Sequence, residues 1–108
     1  MTLSTHVLDA TTGRPAAGVH VQLEHRGHDG WSPACGGLTG TDGRLMLPSW
    51  FEPGLYRITF GSGAYFAARG TASFYPEVTV TFEMTEGGEH YHVPLLLSPF
   101  AYSTYRGS

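Results

Sequence analysis

Two histidines one residue apart stand in the run His90-Tyr91-His92-Val93-Pro94-Leu95-Leu96-Leu97. On a strand, side chains two apart point the same way, so the two imidazoles share a face. Such a pair can ligate a metal, or one ring can move protons near neutral pH. We read His92, between Tyr91 and Val93, as an acid–base or substrate-binding group, and His90 as a solvated residue at a strand start. His6, in Thr5-His6-Val7-Leu8, would supply the third imidazole of a zinc site. The reading adopted here uses no metal and no cofactor. Thr41-Asp42-Gly43-Arg44 places a guanidinium directly after an Asp-Gly turn. Arg44 is then either a surface residue or a charge that holds a carbonyl or an anion.

Other residue types offer less. No G-x-S-x-G run is present, and Ser4, Ser49 and Ser98 have no recognisable activating context. The glycine-rich stretches read as turns, none of them a phosphate loop ahead of a helix. Cys35 reads as a small buried or half-buried hydrophobe. His20, His25 and His28 are expected to face solvent. The chain ends Tyr105-Arg106-Gly107-Ser108 directly after a strand, and this run is expected to belong to the functional site.

These groups need strands to carry them. Turn residues recur at short intervals: Thr12-Gly13-Arg14-Pro15, Arg26-Gly27, Asp29-Gly30, Asp42-Gly43, Glu52-Pro53-Gly54, Gly61-Ser62-Gly63, Tyr75-Pro76 and Gly87-Gly88. Between them lie about eight alternating, β-rich runs, at 5–10, 19–26, 35–39, 45–48, 55–60, 78–84, 90–97 and 102–105. That pattern predicts an all-β fold, a sandwich or small barrel. One short helix is expected over 64–69. Alternation puts Tyr91, Val93, Leu95 and Leu97 on the core face of their strand. His90, His92, Pro94 and Leu96 fall on the other face. His6 and Leu8, and Ser103 and Tyr105, fall on corresponding faces of their strands. If these strands are neighbours, His6, His92, Ser103 and Tyr105 surround Leu8 and Leu96, a mostly apolar wall with a few polar groups. Such a face needs covering, most simply by another subunit. Pro94 inside the strand demands a bulge or an edge where its missing N–H is not needed.

With 108 residues the chain is long enough for one core, and is read as a single domain spanning 1–108. Only 14% of residues are charged, which leaves an uncharged surface suited to association. The net charge of −3, from six arginines and no lysine, argues against nucleic acid or an anionic membrane as partner. A lone cysteine excludes an internal disulfide. The first residues lack the basic and apolar regions of a signal peptide, so a cytoplasmic location is expected.

Three segments together resemble the transthyretin-related family, in particular its hydrolase branch. They are His6-Val7-Leu8-Asp9 with Gly13-Arg14-Pro15-Ala16 and Val19-His20-Val21; Gly40-Thr41-Asp42-Gly43-Arg44; and His90 to Pro99 running on to Ser103-Thr104-Tyr105-Arg106-Gly107-Ser108. The resemblance spans essentially the whole chain. It implies a two-sheet antiparallel β-sandwich, assembled as a homotetramer (a dimer of dimers) with sites at a dimer–dimer interface. It also implies hydrolysis of 5-hydroxyisourate in urate breakdown, with no cofactor. Carried over by motif, His6, Arg44, His92 and Ser108 are the implied catalytic groups. Ser103, Tyr105, Arg106 and Gly107 are the implied substrate-binding groups. The family's hormone-binding branch lacks the Tyr-Arg-Gly-Ser ending, so the ending separates the branches. Ala101 stands where Gly or Ser is more usual. The alternative is a transthyretin-like carrier of a small aromatic ligand; a structural or adhesive β-sandwich module would show no coherent polar cluster.

Overall fold

The structure is a computed structural model that describes residues 1–48, 50–85 and 89–108. Ser49 and the Gly87-Gly88 turn lie outside the described residues. Nine strands and one helix are found among them: β1 (Thr2–Asp9), β2 (Arg14–Pro15), β3 (His20–Gly27), β4 (Gly30–Leu38), β5 (Arg44–Leu47), β6 (Gly54–Phe60), α1 (Ser62–Ala67), β7 (Val78–Met84), β8 (His90–Ser98) and β9 (Ala101–Thr104).

They form two sheets. One runs β2-β1-β8-β9, with β5 also paired to β1; the other runs β4-β3-β6-β7. Pairing is antiparallel except between β1 and β8, which run parallel. Strict alternation along β1 buries Leu3, Thr5, Val7 and Asp9. On β8 it buries Tyr91, Val93, Leu95 and Leu97, the core face expected from sequence. The apolar ones among these side chains meet Val21, Leu23, Tyr56, Ile58, Phe60, Val78 and Met84 of the opposite sheet in one cluster. Each such side chain contributes about 1.5–3 kcal/mol by leaving water. The outer face of the β2-β1-β8-β9 sheet is therefore free to carry chemistry.

Several element boundaries differ from expectation. Arg14–Pro15, read as part of a turn, pairs with Leu8–Asp9 as a two-residue strand. β4 begins at Gly30 rather than Cys35. Its first half, Trp31-Ser32-Pro33-Ala34, does not alternate because it is an edge strand with a register shift opposite Leu23/Glu24. A proline is tolerated there. The helix begins two residues early, at Ser62, and buries Tyr65 and Phe66. Tyr65 donates its hydroxyl to Asp9 Oδ2 at 2.9 Å, while the Thr11 N–H bonds Oδ1 at 2.9 Å, so the helix pins the end of β1. Pro94 causes no bulge. The β1 register runs unbroken through His6↔Pro94, and the ladder to β9 stops at Leu95. His25 does not face solvent freely; it is half-buried against the Tyr56 ring at 4.9 Å. Among the described residues, no helix is long and apolar enough to cross a membrane.

Candidate active site

β1 lies between β5 on one edge and β8 on the other, and register decides which side chains meet. On the outer face Ser4 stands level with Met46 of β5 and His92 of β8. One pair further along, His6 stands level with Arg44 and Pro94. Thr2 is level with His90, and Leu8 with Leu96.

The turn before β5 aims Arg44. Asp42 Oδ1 accepts the Arg44 N–H at 3.0 Å, and the Gly40 N–H reaches Arg44 O at 2.9 Å. Gly43 sits at φ +75°, and a Cβ there would stand 2.5 Å from Val7 O, so only glycine lets this turn lie against β1. His6 Nε2 is 2.9 Å from Asp42 O. A carbonyl only accepts, so Nε2 carries a proton. The ion pairs among the described residues are Arg57–Glu24 and Arg106–Glu89; Arg44 belongs to neither.

Beyond β9 the tail returns across β8. The Gly107 N–H donates to His92 O at 2.8 Å, forming an isolated bridge. This closes a polar, open cavity of about 380 Å³ lined by Ser4, Arg44, His90 and His92. Tyr105, Gly107 and Ser108 complete the wall. Ser4 Oγ lies 2.8 Å from His92 Nδ1 and 2.8 Å from His90 Nε2. Partial burial pushes the His92 pKa below the ordinary histidine value, and Arg44, His6 and His90 push it the same way, against a hydrogen bond to the Ser4 backbone. His92 thus favours the neutral ring at pH 7, beside Ser108 and an arginine without an ion-pair partner among the described residues.

The cavity gathers five of the eight residues expected from sequence: Arg44, His92, Tyr105, Gly107 and Ser108. Three others lie nearby without lining it. His6 is held at the neighbouring turn, beside Arg44. Ser103 pairs with Leu96 further along the sheet. Arg106 turns over the Tyr91 ring at 4.5 Å and reaches Glu89 at 3.4 Å. It lines a second, more apolar cavity of about 370 Å³ between β7 and β9, with Val80, Phe82 and Tyr91. Ser4 and His90 line the polar cavity although the sequence reading gave neither a role. Ser4's alternation with His6 on β1 was the available signal. Among the described residues, no group of three or more His, Cys, Asp or Glu is placed to hold a metal ion. The arrangement suits activation of water by an imidazole and stabilisation of negative charge by a guanidinium.

Comparison with known proteins places this geometry. The family model described as HIUase/Transthyretin matches residues 3–107. A 5-hydroxyisourate hydrolase of Salmonella dublin is 48% identical over 98% of this chain and 80% of its own length. The structure of Klebsiella pneumoniae 5-hydroxyisourate hydrolase superposes with a TM-score of 0.89 at 37% identity, covering 100% of both chains. Transthyretin from Sparus aurata superposes with a TM-score of 0.93 at 34% identity, covering 97% of this chain and 95% of its own. The fold is shared by an enzyme and a transthyretin alike, so the fold by itself does not choose between their functions.

Proposed function

The chain belongs to the HIUase/transthyretin family, and from that premise we propose that it is a hydrolase that opens the six-membered ring of 5-hydroxyisourate. The observation that carries this reading is the polar cavity that brings Arg44, His92 and Ser108 together on the outer sheet face. A carrier of an apolar aromatic ligand has no need of an arginine or of a neutral histidine at that place. The hydrolase relatives at up to 48% identity over nearly the whole chain support the same choice.

Water adds to an acyl carbon and the acyl C–N bond breaks, giving a carboxylate and a ureido NH2 that takes up a proton released from the water. The product is 2-oxo-4-hydroxy-4-carboxy-5-ureidoimidazoline. His92 takes a proton from water at Nε2, since Ser4 engages Nδ1; such catalysis contributes about 10²–10⁴-fold. Arg44 holds the oxyanion or an anionic ring form, a donor worth roughly 2.7–4 kcal/mol. His6, held beside Arg44 by its bond to Asp42 O, lies outside the cavity wall and reaches substrate only if the bound ring extends toward it. Ser108 contributes its hydroxyl, while Tyr105 and Gly107 shape the wall. Ser103 and Arg106 act on substrate only if a neighbouring subunit or the bound ligand draws them in.

A homotetramer, a dimer of dimers, fits the same face. The sheet face that carries the cavity also carries Leu8, Leu96 and Met46, the last 61% exposed, and a second subunit would cover it. The test is an ultraviolet assay of 5-hydroxyisourate decay with spontaneous decay subtracted. Catalysed decay that is lost in His92→Asn supports the reading; decay no faster than the blank overturns it.

A further inference from the structure

Ser4 gains its context only in the fold. β1 and β8 run parallel, with Thr2 beside His90 and Ser4 beside His92. Four side chains then form a row. Thr2 Oγ1 lies 2.6 Å from His90 Nδ1, His90 Nε2 lies 2.8 Å from Ser4 Oγ, and Ser4 Oγ lies 2.8 Å from His92 Nδ1. The serine has one proton. It donates to one ring and accepts from the other.

With both rings neutral and every bond made, the row has two orderings. In the first, His92 Nδ1–H donates to Ser4, Ser4 donates to His90 Nε2, and His90 Nδ1–H donates to Thr2. His92 Nε2 is then bare. In the second, every bond is reversed, Nε2 of His92 carries the proton, and the ring has no lone pair to offer. Only the first ordering survives when His92 takes up a proton, because an imidazolium must donate from Nδ1. A site already in that ordering needs no rearrangement during the reaction.

We propose that Ser4, backed by His90, is a positioning residue that holds His92 in the tautomer with Nδ1 protonated and Nε2 bare. This rests on His92 being the group that activates water. With its proton and a lone pair both engaged by rings, the Ser4 hydroxyl orients His92 and does not itself attack.

The experiment is 15N NMR of histidine-labelled protein near pH 8, where unperturbed imidazoles, with a pKa of about 6.5, are neutral. Resonances of His92 are assigned by their absence in His92→Gln. The wild type is expected to show His92 as one tautomer, with the proton on Nδ1. Ser4→Ala is expected to mix the tautomers and lower kcat about tenfold to hundredfold, with KM within about threefold. Ser4→Thr, which keeps the hydroxyl, is expected to restore the single tautomer and most of the rate. A wild-type ring protonated on Nε2, or one unchanged by Ser4→Ala, overturns the proposal whatever the activity of His92→Gln. Near-normal turnover by His92→Gln instead overturns the premise, even with the spectra as expected.

Discussion

Gly107 lies against the imidazole of His92 so closely that a Cβ on residue 107 would overlap the ring at Cδ2, and would also stand 3.1 Å from Cγ and 3.2 Å from Pro94 Cγ. The same glycine donates its N–H to His92 O. The tail therefore fixes both the backbone and the ring of His92.

Gly107→Ala should push that ring out of place while leaving the sandwich intact, since neither residue belongs to the core. A misplacement of about 1 Å can cost roughly 10²-fold in rate. The expected outcome is a loss of that order in kcat with an unchanged far-ultraviolet circular dichroism spectrum. Turnover equal to the wild type would show that the contact does not position His92.

Removal of the last four residues tests the tail as a whole. β9 ends at Thr104, and residues 105–108 contribute a single bridge to the sheet. Truncation after Thr104 should abolish hydrolysis and keep the β-sheet spectrum. Hydrolysis that survives the truncation would remove the tail from the site.

The pH dependence follows from the depressed pKa of His92. The base is active when unprotonated, so activity is lost as pH falls through its pKa. Burial first, and then the charges of Arg44, His6 and His90, hold that pKa below 6.5. The acid limb of kcat/KM, which reports the free enzyme, should therefore lie below pH 6.5. Arg44→Gln removes one of the lowering charges. Its limb should move upward, and kcat should fall about 10²–10³-fold from the lost anion donor. A limb that stays in place in Arg44→Gln would uncouple the two residues.

The sequence showed which side chains share a strand face, because alternation is a local property. Tyr91, Val93, Leu95 and Leu97 are buried as read, and His6 and His92 lie on the outer side of their strands, while Tyr105, read as the end of the last strand, follows β9. Pairing between distant strands has no local signature. The parallel register of β1 on β8 joins residues nearly ninety positions apart, and that register brings Ser4 and His90 into the site. Arg106 was grouped with the site because it is in the tail run; its guanidinium instead stacks on Tyr91. The first half of β4 was missed because its proline and small residues carry no alternation on an exposed edge. The two-residue β2 is too short to produce any pattern.

Tyr65 and Asp9 offer a prediction about stability that leaves the chemistry alone. Asp9 is 3% exposed at the end of β1, and Tyr65 supplies the donor to its Oδ2 at 2.9 Å. Burial, the hydrogen bond to Asp9 and its charge push the Tyr65 pKa up, so the phenol stays protonated and donating. Tyr65→Phe keeps the ring that packs beside Phe66 but leaves a buried carboxylate oxygen without this donor. A hydrogen bond to a charged group contributes about 1.5–3 kcal/mol. Urea unfolding should show a loss of that size with an unchanged m-value. Activity below the unfolding transition should stay near the wild type, because Asp9 lies at the far end of β1 from Ser4 and on its core face. A loss under about 0.5 kcal/mol, the range of an ordinary surface substitution, would mean that the helix does not anchor β1 through this bond.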